Sequence, residues 1–260
     1  MRNARTAALE LDSVYGPPAP RSGDSMEVGK VAASGGRPPG KDDFNDLPRE
    51  ARRRLPERDR AALIGDPRND ENLVVAQLQV AFLRAHNRLV REGKTFLEAR
   101  RTLRRHYQHI VLNDFLKRIA DPQIVDDTIQ ENQVYDPLDE QFFLPLEFTV
   151  AAYRFGHSMV RANYDFNLNF PDATLGQLFT FTALSGQLGG DGAPEFDTLP
   201  EIWIIQWENF VDAGGQFNRA RRVRPAGPAE VRGGPPLEVG VFGAGRIGYY
   251  CCRGWHDGCR

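Results

Sequence analysis

The stretch from Leu73 to Val90 is apolar around most of a helical circumference, with Leu73, Val74, Val75, Leu78, Val80, Phe82, Leu83 and Leu89 falling on several faces. A helix of that kind must be covered on more than one side, so the chain needs further elements packed round it. Its start is signalled by Asp66 as a cap, Pro67 at the first helical position and the acid Glu71 in the first turn. Phe96, Ala99, Leu103, Tyr107 and Ile110 then step at helical spacing with arginines opposite, which predicts an amphipathic outer helix. Leu146 to Val160 is again apolar nearly all round and reads as a central helix. Thr174–Leu184 and Ile202–Val211 read as shorter helices, the second carrying Trp203 and Trp207 at i, i+4. No run alternates as strands do, so the fold class is mainly α with long irregular loops.

Residues 1–65 are polar and rich in proline, glycine and charge, with short apolar islands at Ala7–Leu11 and Val14–Tyr15. Within them Arg21–Asp43 reads as a long loop. Residues 66–223 are dense and periodic, and residues 224–260 form a Gly/Pro/Arg-rich tail without helical pattern. The net charge of -2 argues against a dedicated nucleic-acid binder. No stretch approaches the ~20 apolar residues of a bilayer crossing. The opening residues lack the apolar core of a signal peptide. Cys251, Cys252 and Cys259 are the only cysteines, so residues 1–250 hold no disulfide framework and no cysteine metal site. Two features of the tail imitate sites. Gly243, Gly245 and Gly248 fit G-x-G-x-x-G but lack the helix and acidic residue that must follow. Cys251, Cys252, His256 and Cys259 fit no standard zinc spacing.

Three constellations bear on chemistry. His157 stands beside Gly156, with Arg154 and Arg161 at i-3 and i+4. It reads either as a satisfied core histidine or as a ligand that a flat group approaches over the glycine. Arg68 and Glu71, at i, i+3, read as a helix-start ion pair or as a cation held to stabilise developing negative charge. Thr6, Ala8, Glu10 and Asp12 offer oxygens at alternate positions, as an exposed strand edge or a calcium ligand set would. His106, His109 and the run Arg100–Arg105 read as a solvated helix face, and His86 as a packing or hydrogen-bonding residue.

The strings RTAALELDSVYG (5–16), IGDPRNDENLVVAQLQVAFLRAHNRLVREG (64–93) and EFTVAAYRFGHSMVRANYDFN (147–167) resemble the animal-type haem peroxidases of the peroxidase–cyclooxygenase superfamily, in their bacterial branch. LPEIWIIQWENFVD (199–212) is a looser match. The resemblance spans roughly residues 3–223, which implies a partial peroxidase domain over 1–223 and an unrelated tail over 224–260. It implies a mainly α, haem-peroxidase-like helical fragment. It also implies haem b, with His157 as proximal ligand to the iron, Arg68 as the distal arginine, and Arg154 paired with a propionate. Glu71 matches the glutamate that forms an ester to a haem methyl in some members. Thr6, Ala8 through its carbonyl, Glu10 and Asp12 fall on the family's calcium loop, where Glu10 replaces the usual aspartate.

The activity so implied is haem-dependent reduction of hydrogen peroxide with oxidation of a small electron donor, part of the response to oxidative stress. The family's QFLDHD-like segment, with its distal histidine, has no counterpart here. The expectation is therefore a domain truncated at both ends, with impaired turnover, or a non-catalytic haem-binding or structural remnant. The family is often extracellular, although no export signal is visible.

Overall fold

The apolar run becomes α2 (Leu73–Arg91) in a computed structural model that describes residues 8–35, 43–50, 60–131, 146–180, 182 and 198–211. Its cap is Asn72, whose Oδ1 accepts from the Val75 amide at 3.0 Å. Asp66 and Pro67 instead open a separate 3-10 turn, Pro67–Asp70, so the sequence signal for a helix start marked the turn ahead of α2. Gly93, at φ 92°, reverses the chain through the left-handed region. The amphipathic helix α3 (Phe96–Ile110) follows, closed at its start by a reciprocal capping box between Thr95 and Glu98. It runs on through a π-helical segment, Val111–Phe115, into α4 (Leu116–Ile119), and α5 (Pro122–Glu131) comes after.

Residues 8–65 are more than loop. A short helix α1 (Asp12–Tyr15) and a two-residue hairpin, β1 (Arg21–Ser22) with β2 (Ser25–Met26), lay Leu11, Val14 and Met26 against α2 and α3. There they meet Phe82, Leu83 and Leu89 from α2 and Ala99, Leu103 and Ile110 from α3. A smaller cluster joins Leu47 and Ile64 to Ala76 and Val80. The first turn of α2 supplies Leu73 and Val74 to a third cluster, which holds Tyr164, Phe166, Leu178, Leu199, Trp203, Ile205 and Phe210. In it Phe166 stacks on Phe170 at 5.1 Å and on Trp203 at 5.4 Å between centroids, a geometry that adds to simple area burial. Thus α2 contributes to all three clusters.

The fold class is mainly α, as the periodicity requires, with β3 (Asn163–Tyr164) and β4 (Ala173–Thr174) forming a second two-residue pair. Three helix readings need correction. The predicted central helix over Leu146–Val160 is a surface segment, with α6 covering only Leu146–Val150 and a 3-10 stretch over Ala152–Met159. Ala151 breaks it at φ -121°, ψ -71°. Leu146 is 69% exposed, Val150 59% and Tyr153 69%, because no described element covers their face. Thr174–Leu184 opens on the last residue of β4 and holds a 3-10 turn, Leu175–Phe179, while residues 181, 183 and 184 lie outside the described ones. Ile202–Val211 contains two 3-10 turns, Glu201–Trp203 and Trp207–Asn209. Short turns here bury aromatic residues that a regular helix would spread over its circumference. The tail, residues 224–260, lies outside the described residues.

His86, on α2, is fully buried, as its packing role requires. Its Nε2–H donates to the Asp24 carbonyl at 2.9 Å, so Nδ1 accepts from the Tyr15 hydroxyl at 3.0 Å. On α3 the arginine run divides. Arg101 and Arg105 are exposed, but Arg104 donates to the Glu10 carbonyl at 2.5 Å and Arg100 sits over the Tyr15 ring. His109 is exposed as expected, while His106 is half-buried and its pKa is pushed down by that burial.

Candidate functional site

The turn ahead of α2 carries two of the predicted site residues. Asp66 caps it, its Oδ1 accepting the Arg68 amide at 3.0 Å. The same carboxylate takes the Arg68 side chain, with Nη2 to Oδ2 at 2.6 Å and Nε to Oδ1 at 3.0 Å. Arg68 therefore pairs with Asp66 and not with Glu71, which corrects the helix-start pair expected from the i, i+3 spacing. The hydrogen bonds that Arg68 donates to Asp66, then the charge of that carboxylate, raise the Arg68 pKa further, so the guanidinium is a permanent cation. Since 65% of the Arg68 side chain is exposed, this pair orients the group more than it stabilises the fold. Glu71 is exposed beside it, at the same azimuth of a turn with three residues per revolution.

The 3-10 stretch Ala152–Met159 carries the others. Its weak helical geometry lets His157 Nδ1–H donate to the Arg154 carbonyl at 2.9 Å. A carbonyl only accepts, so this bond fixes the tautomer with the proton on Nδ1 and the lone pair on Nε2. That is the arrangement of a metal-ligating imidazole. Arg154 is held at its own base, Nε donating to the Thr149 carbonyl at 3.1 Å. The stretch also carries Tyr153, whose charge when ionised is among the smaller influences raising the Arg68 pKa. Tyr153 also raises the pKa of Tyr107 on α3, after the larger effect of burial.

The donor chemistry of these residues fits a haem. An imidazole bonded through Nδ1 leaves Nε2 for a metal, two guanidiniums suit anionic groups, and the apolar side chains of Leu146, Phe148 and Val150 lie in the preceding helix. Arg68, Glu71, Arg154 and His157 are all exposed, the first two on the turn ahead of α2 and the last two on the 3-10 stretch.

The calcium set does not fit in the same way. Thr6 lies outside the described residues, and Ala8 is exposed. Glu10 Oε2 faces the Arg104 guanidinium at 3.4 Å, a cation placed where a divalent ion would need the carboxylate. Asp12 is the first residue of α1 and its carbonyl accepts from Gly16. Among the described residues, no three His, Cys, Asp or Glu side chains gather as a metal group.

Sequence reasoning missed a buried ionic cluster behind the Arg68 turn. Arg49 donates from Nε to Asp46 Oδ2 and from Nη2 to Asp46 Oδ1, both at 2.9 Å, and from Nη1 to Asp70 Oδ2 at 2.6 Å. The side chains of Arg49, Asp46 and Asp70 are each only 2–3% exposed. Burial alone would lower the Arg49 pKa, but the two carboxylates outweigh it and keep the guanidinium charged. Asn167 was also missed. Fully buried, it donates to the Ile202 and Ile204 carbonyls at 2.7 and 2.8 Å and ties the β3 region to the tryptophan-bearing turns. Asp70 and Asn167 are polar residues inside matching strings, whereas Asp46 and Arg49 lie outside every such string and carry no sequence signal.

Animal haem peroxidases match over residues 1–179, more than half of the chain and including every residue of this site. The chain belongs to the animal haem peroxidase family. Within the family it is 36% identical over 118 residues to a peroxidase-like protein of Margaritifera margaritifera, a stretch covering 39% of this chain and 14% of that protein. It is 31% identical over 127 residues to the peroxidasin homolog pxn-2 of Caenorhabditis elegans, covering 45% of this chain and 10% of the relative. With the chorion peroxidase of Aedes aegypti it shares 30% identity over 118 residues, 39% of this chain and 15% of that protein. The chain thus spans no more than 15% of the length of these relatives. These relatives are animal proteins and do not support the bacterial branch. No helix among the described residues is long and apolar enough to cross a membrane.

Proposed function

We infer that the chain acts as part of a haem-dependent peroxidase, reducing hydrogen peroxide with electrons from a small donor. The observation that carries this reading is the tautomer of His157, fixed by its bond to the Arg154 carbonyl in a chain of this family. Haem b, when bound, supplies the redox chemistry that cleaves the peroxide O–O bond. His157 would hold the iron through Nε2, and the Nδ1–H bond would keep the ring oriented and electron-rich. Arg68, charged at every accessible pH, would stabilise the negative charge that builds on the departing oxygen. Arg154 would pair with a propionate, and Glu71 stands at the turn where an ester to a haem methyl would form.

Peroxide cleavage also requires a proton to move from one oxygen to the other. Both ring nitrogens of His86 are engaged, by the Tyr15 hydroxyl and the Asp24 carbonyl, so this histidine is not placed to move it. We propose that the described residues by themselves would turn over about 10²–10⁴-fold more slowly than an enzyme with a positioned acid–base group. The exposure of all four site residues favours a second reading, a haem-binding piece without turnover. We place the domain over residues 1–223, supported by the packing of Leu199, Trp203, Ile205 and Phe210 against Tyr164 and Phe166 beyond the family match. For calcium the pairing of Glu10 with Arg104 speaks against a site in this chain.

The test is a haemin titration of the purified chain beside His157→Ala. A near-stoichiometric Soret band that the substitution abolishes supports the reading, and peroxide-dependent oxidation of a phenol then separates turnover from binding. An identical band in both proteins, or none in either, refutes it.

A further inference from the structure

Arg68 and Glu71 face outward, but the residue between them that faces inward, Asp70, is held by the buried cluster. Its two carboxylate oxygens take Arg49 Nη1 at 2.6 Å and Nη2 at 3.2 Å. Arg49 is itself fixed on its other edge by Asp46, and Arg60, with a positive φ of 57°, aims its carbonyl at Nη1 from 3.2 Å. Asp46 is anchored in turn, Oδ2 accepting the Leu199 amide at 3.0 Å and Oδ1 the Leu47 amide at 2.7 Å. A planar guanidinium with both edges occupied has no rotational freedom left. The Asn69 side chain adds a second tether by donating to Gln79 Oε1 on α2 at 3.0 Å.

A turn of four residues with weak internal hydrogen bonds does not fix its own orientation. We propose that Asp70 is a positioning residue: gripped by the Arg49–Asp46 pair, it sets where Arg68 and Glu71 point. The proposal rests on the reading above, in which those two side chains face the haem. Asp46 and Arg49 act through Asp70 and touch neither the cofactor nor peroxide.

The experiment measures hydrogen exchange by mass spectrometry on the full chain, wild type, Asp70→Asn and Arg49→Lys, without haem. Asp70→Asn keeps the shape and loses the charge, while Arg49→Lys keeps the charge and loses the two-edged grip. The amides of Arg68, Asn69 and Glu71, bonded to Asp66 Oδ1, the Asp66 carbonyl and the Arg68 carbonyl, report the turn. Those around His86 in the middle of α2 report the rest of the fold. The expected result is exchange at least tenfold faster in the turn, with the His86 region unchanged, in at least one variant. Unchanged exchange in the turn overturns the proposal. Parallel acceleration in both regions, or loss of cooperative melting in both variants, overturns it too, since the cluster is then merely structural.

A haemin titration of the same proteins separates this from the functional reading. Wild type without a Soret band refutes that reading while the exchange result still decides the positioning. With haem bound, Asp70→Asn should weaken cyanide binding about tenfold, and this effect should vanish in an Arg68→Ala background. Equal weakening in both backgrounds overturns the role through Arg68.

Discussion

Acidification from about pH 8 to about pH 5.5 is expected to destabilise the chain through His86. This imidazole is fully buried between Tyr15 and Phe96, with ring centroids 5.5 and 5.1 Å away. The Tyr15 hydroxyl is able to turn and accept from a protonated Nδ1, so the hydrogen bond itself survives protonation. What opposes the proton is burial of the charge, which lowers the His86 pKa, while the carbonyl and charge of Asp24 offset it only in part. Below about pH 6.5 the unfolded chain takes up a proton that folded His86 refuses. Stability is then complete above that pH, falls by up to ~1.4 kcal/mol per pH unit below it, and levels off beneath the folded pKa. At about pH 5.5 the loss from this group reaches up to ~1.4 kcal/mol. Urea unfolding followed by far-ultraviolet circular dichroism, for wild type and His86→Gln at three pH values, isolates the contribution as a difference. Other titrating groups cancel in that subtraction. A variant whose stability falls as steeply as that of wild type would refute the reasoning.

Other perturbations have definite outcomes. A Cβ at Gly65 would meet backbone atoms of α1, with the Ser13 carbonyl oxygen at 2.9 Å and the Gly16 nitrogen at 3.0 Å as well as the Asp12 carbonyl. Gly65→Ala should therefore cost about 2–3 kcal/mol or more, read from the urea midpoint. Arg49→Met leaves two carboxylates buried without their cation and should cost about 3–5 kcal/mol, seen as a lowered but still cooperative thermal transition. Adding a calcium chelator should leave the melting temperature unchanged, and a drop of several degrees would place a divalent ion in the chain. Val150→Ser and Leu146→Ser, on exposed positions, should change stability by less than about 0.5 kcal/mol while lowering self-association in sedimentation.

The parts of the fold that sequence reveals are those stabilised locally. The helices α2 and α3 are legible because their apolar periodicity matches what the structure buries. Leu146–Val160 has the same periodicity and misleads, because pattern records what a segment prefers to contact and not whether a neighbour covers it. The site divides similarly. Arg68, Glu71, Arg154 and His157 stand out as residue types in a specific string. Their partners do not: nothing local shows that Arg68 turns to Asp66, or that Arg49 crosses to Asp70 from a proline- and arginine-rich stretch. The first is a choice between two acids within reach of the same side chain, and the second depends on two polar segments meeting in three dimensions, which no periodicity announces.

The sharing of α2 among three apolar clusters has a consequence for how the chain comes apart. Phe82, Leu83 and Leu89 wall the first cluster, Ala76 and Val80 the one around Leu47, and Leu73 and Val74 the aromatic one. No cluster keeps its shape once this helix frays, so none is a separable folding unit. The described residues should therefore lose their structure in a single transition, and a substitution at Leu73 should accelerate unfolding near Leu103 as well as near Trp203. A helix in this position makes distant regions thermodynamic neighbours.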